Sequence, residues 1–224
     1  MLPTKKLIAG LIPVGLVSAL VAVALAVVPA VALATQVTPA ATEITATNEG
    51  TTNFYPANGY AEAWVECEES AVKFTTSNGE APPAGISANT NRTGVGTQSK
   101  GPGSVTMAIS SQTFTKCHTN AGSGSAEAFV TTAGKWGLAA LGQTEASGVL
   151  AIAVPEKGAT IKIPGFGCEI SVSPAQTSAV TATYTNSTHT AVVDGQISSS
   201  GCEFTSPAQF EARYKFNHEF EVKP

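Results

Sequence analysis

An all-β fold, either an antiparallel sandwich or a closed barrel, is predicted for everything after the N-terminal segment, and three observations carry it. Charged residues make up only 12% of the 224, against roughly 25% in an ordinary globular chain, and 28 Thr and 19 Ser stand in their place. Seven of the ten Leu fall before residue 35, so the rest of the chain nearly lacks the usual packing residue of amphipathic helices. What remains is Val, Thr, Ala and Ile, which suit a pleated surface and recur with period two between Gly, Pro and Asn turns. A helical bundle is ruled out, and an α/β nucleotide-binding fold is disfavoured.

Residues 1–34 read as a signal peptide with a helical core. Lys5 and Lys6 form a basic start, Leu7 to Val28 is uncharged and apolar, and Pro29 ends the run before small residues at Ala30, Ala32 and Ala34. The cut is expected after Ala34. An uncleaved anchor is the alternative, since 22 apolar residues can span a bilayer; Gly10, Pro13 and Gly15 favour cleavage. The mature chain would hold ten basic and sixteen acidic residues, a charge of −6. With no basic cluster, neither nucleic acid nor an anionic membrane is an expected partner.

Residues 35–50 are rich in Thr and Ala with one large apolar side chain, Ile44, and read as a linker or short edge strand. The all-β domain follows over 51–224. Tyr60–Cys67 alternates clearly, and Ala71–Thr75 precedes a turn at Ser77-Asn78-Gly79. Residues 79–103 lose all periodicity and read as an exposed excursion, a plain insertion or a recognition loop. Strands resume at Ser104–Ser110, Gln112–Cys117, Ala126–Thr132 and Trp136–Leu141. Gly148–Val154 is apolar on both faces, as a central buried strand should be. Ala159–Ile163, Cys168–Val172, Ala179–Thr185, Thr190–Ile197 and Gln209–Phe216 follow, with Phe220 and Val222 as a last short pairing.

Four cysteines, Cys67, Cys117, Cys168 and Cys202, fit two disulfides in an exported chain. Zinc is rejected, because no two lie at ligand spacing. Three pairings are open, and two self-similarities choose among them. Ala61-Glu62-Ala63-Trp64-Val65 recurs as Ala126-Glu127-Ala128-Phe129-Val130, and Cys168-Glu169-Ile170-Ser171 recurs as Cys202-Glu203-Phe204-Thr205. They suggest related halves, approximately 51–145 and 146–224, each with its own bridge: Cys67–Cys117 and Cys168–Cys202. One shared fold is preferred to two domains, since halves this small would be marginal alone.

The second half carries an apolar strand, Ile161-Lys162-Ile163-Pro164-Gly165, Cys168-Glu169-Ile170-Ser171-Val172, a Gly-flanked Cys202 and a closing aromatic strand. In this it resembles a group of secreted, cysteine-paired, Thr/Ser-rich all-β proteins of high-GC Gram-positive bacteria. The resemblance implies export and fold, and no activity.

Catalytic motifs are missing. Gly122-Ser123-Gly124-Ser125 lacks the spacing of a nucleophile elbow, and the single Asp, Asp194, follows His118 and His189 with no nucleophile motif after it. Fifteen Glu offer no singled-out carboxylate pair. No motif asks for a cofactor or metal, and the three histidines read as isolated surface residues. One segment hints at a ligand. Tyr60, Glu62, Trp64 and Glu66 share a strand face opposite Ala61, Ala63, Val65 and Cys67, and Tyr55 extends it. Flat rings beside carboxylates suit a glycan. The competing reading packs Trp64 under a loop, and the parallel run Glu127-Phe129-Thr131 favours such an architectural role. A non-enzymatic extracellular binding or adhesion protein, with a cell-wall or glycan ligand, is therefore expected first. A hydrolase without a recognisable motif and an accessory or inhibitor subunit of another exported protein are the alternatives.

Overall fold

The computed structural model describes residues 36–56, 63–76, 105–121, 124–143, 147–202, 207–218 and 221–223. Its strands begin with β1 (Gln36–Thr38), β2 (Glu43–Asn48), β3 (Thr52–Pro56), β4 (Ala63–Thr75) and β5 (Val105–Ala121). Then come β6 (Gly124–Thr132), β7 (Gly137–Gln143), β8 (Ser147–Val154), β9 (Ala159–Ile163) and β10 (Cys168–Val172). The last are β11 (Ser178–Thr185), β12 (Thr190–Ile197), β13 (Ser199–Ser200), β14 (Ala208–Phe216) and β15 (Glu221–Lys223). The expected signal helix and the 79–103 excursion lie outside the described residues.

Hydrogen bonding runs β5–β7–β8–β11–β12–β14–β2–β4 and returns to β5, a closed eight-stranded antiparallel barrel. The sandwich is thereby corrected. Both architectures put alternate residues inside, so alternation alone cannot separate them; the β4–β5 ladder decides, because it joins what would be the two open edges. Going round, β2, β4, β5 and β7 precede residue 146, and β8, β11, β12 and β14 follow it. Side chains from both arcs fill one core, including Ile44, Phe74, Met107, Leu150, Val193 and Tyr184.

Residues 43–48 are no edge: β2 pairs with β14 on one side and β4 on the other. Ile44, the one large apolar residue there, is fully buried. Strand β3 continues in the same slot, pairing with the other ends of β14 and β4. The break between them turns at Gly50 (φ +86°) and is tied down by Asn48, whose Nδ2 donates to the Glu68 carbonyl and whose Oδ1 accepts from Ser70 N–H.

In the described residues, the strands expected to be separate within 60–67 and 71–75 are continuous as β4 from Ala63, and those within 104–110 and 112–117 are continuous as β5 from Val105. Glu68 and Glu69 both face water, so the alternation changes phase there without breaking the ladder. Opposite them, Lys116 takes a positive φ of 53°. Strand β5 also forks. Its first residues pair with β7 and its last with β6, which leads through β9 and β10 to β13. Gly148–Val154 is central in β8, paired on both sides, although Val149 is exposed.

Both disulfides join the expected partners. Cys67 and Cys117 face each other across the β4–β5 ladder and are buried. Cys168 and Cys202 tie β10 to the turn after β13, where Cys202 is exposed. Gly201 must be glycine: at φ +112° a Cβ would lie 2.1 Å from the Glu169 carbonyl oxygen. Exposure orders the two bridges, because thiol attack needs access. Under a titrated reductant, alkylation should label Cys168 and Cys202 first and Cys67 and Cys117 only on unfolding. Simultaneous labelling of all four would contradict that order.

Candidate functional site

Alternation sends Thr52, Phe54 and Pro56 of β3 and Val65 and Cys67 of β4 into the barrel. Asn53, Tyr55, Trp64 and Glu66 therefore stand half-buried on its outer face. Register extends this face sideways. Asp194 on β12 lies opposite Glu211 on β14, and Glu211 opposite Asn53. Asn53 lies opposite Glu66, Glu66 opposite His118 on β5, and His118 opposite Glu127 on β6. One cross-strand row thus spans six strands, roughly 24 Å at about 4.8 Å per strand. A second row beside it runs from Gln196 through Gln209 to Tyr55, and Trp64 continues it on β4.

Within the patch the side chains hold one another. The Tyr55 hydroxyl donates to the Glu211 carboxylate, and Gln209 Nε2 donates to Asp194 Oδ1. His118 Nε2 lies 3.9 Å from Glu66 Oε1, and its ring meets Trp64 edge-on, with centroids 6.5 Å apart. Among the described residues Asn53 Oδ1 is buried without a hydrogen-bond partner, an unmatched acceptor in a row already rich in acceptors. Phe129, 49% exposed, stands two residues along β6 from Glu127 on the same face. The repeated Glu-Ala-aromatic run thus places Trp64 and Phe129 on the two strands flanking β5, both outward.

No family model, curated protein or solved structure matches this chain. The site must be read from its own chemistry.

Of the expected platform, Tyr55, Trp64 and Glu66 stand half-buried on the outer face of β3 and β4; Tyr60 and Glu62 lie outside the described residues. The Cys67–Cys117 bridge sits directly behind, one residue from both Glu66 and His118, and pins β4 to β5 there. His118 is a correction to the isolated-histidine reading, because sequence cannot see a neighbour across a ladder. Asn53, Asp194, Gln196, Gln209, Glu211 and Glu127 were missed for the same reason. Each occupies a polar position of an alternating strand, and only register gathers them. His189 lies elsewhere, its Nδ1 3.5 Å from the Tyr184 hydroxyl. Among the described residues no three His, Cys, Asp or Glu are grouped to hold a metal, and no helix is long and apolar enough to cross a membrane.

Burial first, then the Glu211 and Asp194 carboxylates, push the Tyr55 phenol above its ordinary range. Burial does the same to Tyr214 inside the barrel, against the opposing Ser70 and Thr52 hydroxyls. An unfolded tyrosine ionises near pH 10. Above that, the unfolded chain binds fewer protons than the folded one, so stability should fall as pH rises. Denaturant titrations at stepped alkaline pH should show this decline, with the phenolate absorbance of both residues appearing only on unfolding. Full phenolate absorbance in a folded chain near pH 10 would contradict it.

The barrel interior is not completely filled. A cavity of about 90 Å³ lies among inward side chains of most strands. At roughly 24 cal/mol per Å³ such a void costs about 2 kcal/mol.

Proposed function

We propose that the protein is an exported, non-enzymatic binding module that holds glycan, such as cell-wall polysaccharide, on the outer face of β12, β14, β3, β4 and β5. The observation that carries this reading is the pair of adjacent cross-strand rows, one of aromatic and amide groups and one of acceptors. Sugar rings present apolar faces that stack on Trp64 and Tyr55, while their hydroxyls donate to Glu66, Glu211 and Asp194 and exchange hydrogen bonds with Gln209. An extended row of this length suits a chain of sugars better than a single one. Its hydrogen-bonded side chains are held in place before binding, which reduces the ordering cost of association. The basic, apolar and small-residue succession of 1–34 and the two disulfides support export to an oxidising compartment. No nucleic acid, cofactor or metal enters this reading.

Pull-down on insoluble cell walls and a glycan array test it, using the mature protein beside Trp64→Ala and Tyr55→Ala. Retention of the native chain and at least a ten-fold loss for Trp64→Ala, in a protein that stays folded, are expected. Equal retention of the native and Trp64→Ala proteins would refute it.

A further inference from the structure

Strands β6, β9, β10 and β13 leave the ring at the fork in β5 and form a flap whose buried side chains join the barrel core. Ala159, Ile161 and Val172 of the flap also line the barrel cavity. The far edge of this flap is closed by little pairing. Strand β13 is two residues long, and only Ser199 and Ser200 pair with Val172 and Ser171 of β10. Past that point the Cys168–Cys202 bridge fastens the edge. Backbone and polar groups both oppose closure along this seam. Lys157, Ser173 and Cys202 take positive φ of 54°, 56° and 54°, a region that is strained for residues with a Cβ. They are gathered there by hydrogen bonds: Ser173 N–H donates to the Ser198 carbonyl, and the Ser173 carbonyl accepts from Lys157 N–H, each over 2.7 Å. Ser173, Ser178 and Ser199 are 0%, 2% and 1% exposed, and among the described residues none of their hydroxyls has a hydrogen-bond partner. A buried hydroxyl left unpaired destabilises the arrangement that buries it.

The bridge works against both terms. It joins residues 34 apart in the chain and so removes conformational freedom from the open seam. Cys202 is exposed, whereas Cys67 and Cys117 are buried, so a thiol reaches the seam before it reaches the ring. We propose that Cys168–Cys202 is a redox latch: its reduction by a dithiol frees the flap edge and opens the barrel interior to water while the ring stays closed. The ring is spared because β10 and β13 pair only with flap strands and because Cys67–Cys117 still joins β4 to β5. One thiolate of the dithiol attacks the Cys202 sulfur, forming a mixed disulfide and releasing Cys168 as a thiolate that takes up a proton. The second thiol of the reductant then displaces Cys202, which is protonated in turn. The dithiol ends as a disulfide and the latch as two thiols, a transfer of two electrons and two protons.

Hydrogen exchange of the mature protein tests this, before and after graded dithiothreitol, with alkylation confirming that Cys67–Cys117 is intact. In the reduced protein the amides of Cys168–Val172 and Ser199–Ser200 should exchange at least about ten-fold faster. Anilinonaphthalene sulfonate, which lights up on exposed apolar surface, should gain fluorescence. Amides of β4, β12 and β14 should keep their rates, and reoxidation should restore the first pattern. Cys168→Ser/Cys202→Ser should show the open pattern without reductant. Ser173→Gly, which takes the positive φ without strain and removes an unpartnered hydroxyl, should slow exchange at the seam of the reduced protein. The reduced native protein keeps the test decisive if a variant does not fold. Unchanged seam exchange after reduction, loss of protection around the whole ring, or no slowing in folded Ser173→Gly would overturn the proposal. Glycan binding at the outer face is scored separately and stands or falls by itself.

Discussion

Trp136→Ala should destabilise the protein by about 3–5 kcal/mol, the cost of truncating a large buried aromatic, whereas Trp64→Ala should cost well under 1 kcal/mol. The two tryptophans occupy opposite sides of the barrel wall. Trp136 is 9% exposed, and its Nε1 donates to the Ala133 and Gly158 carbonyls, both at 3.2 Å. Removing it opens a void and takes the indole donor from the Ala133 carbonyl at the junction into β7, while the Gly158 carbonyl keeps the Ala133 N–H. Trp64 stands half-buried on the outer face beside His118 and is not part of the core cluster. Parallel denaturant unfolding of the two variants measures the difference. Comparable losses from both would mean that Trp64 is a structural side chain, and the glycan platform would go with it.

The second large effect is expected from Cys67→Ala/Cys117→Ala. The bridge closes a span of 50 residues, for which chain-entropy loss gives about 4 kcal/mol. That is a large part of a typical net stability of about 5–15 kcal/mol. It also fastens the ladder at the place where both strands change phase, between the outward Glu68–Glu69 pair and Lys116. Loss of the bridge should therefore weaken the outer face as well as the fold, since Glu66 and His118 flank it. A fall in unfolding free energy below about 1 kcal/mol would show that the β4–β5 ladder holds without it.

What could be read from the sequence was whatever is local to a strand. The alternation of Val65 and Cys67 against Trp64 and Glu66 fixed both faces of β4, and the self-similar cysteine segments indicated the pairing. Long-range closure was not legible. Whether β4 meets β5 to complete a ring, or leaves two open edges, is decided by ladders between residues distant in the chain. The slot shared by β2 and β3 was hidden likewise: Thr52–Pro56 is five residues ending in Pro, and Glu43–Asn48 offers one large apolar residue. The site shows the same limit more sharply. Tyr55, Trp64 and Glu66 declare themselves by side-chain type, but Glu211, Asp194 and His118 join them only through register.

The central claim, that the rows across β12, β14, β3, β4 and β5 hold glycan, is tested most directly by an NMR titration of isotopically labelled mature protein. The titrant is a soluble wall-polysaccharide fragment. The Trp64 indole N–H and the backbone amides of Asn53, Tyr55, Glu66, Gln209 and Glu211 should shift together and saturate at one affinity, while amides of β8 and β11 remain in place. Saturable shifts confined to β8 and β11, or none on the outer face at concentrations that saturate wall binding, would contradict the account.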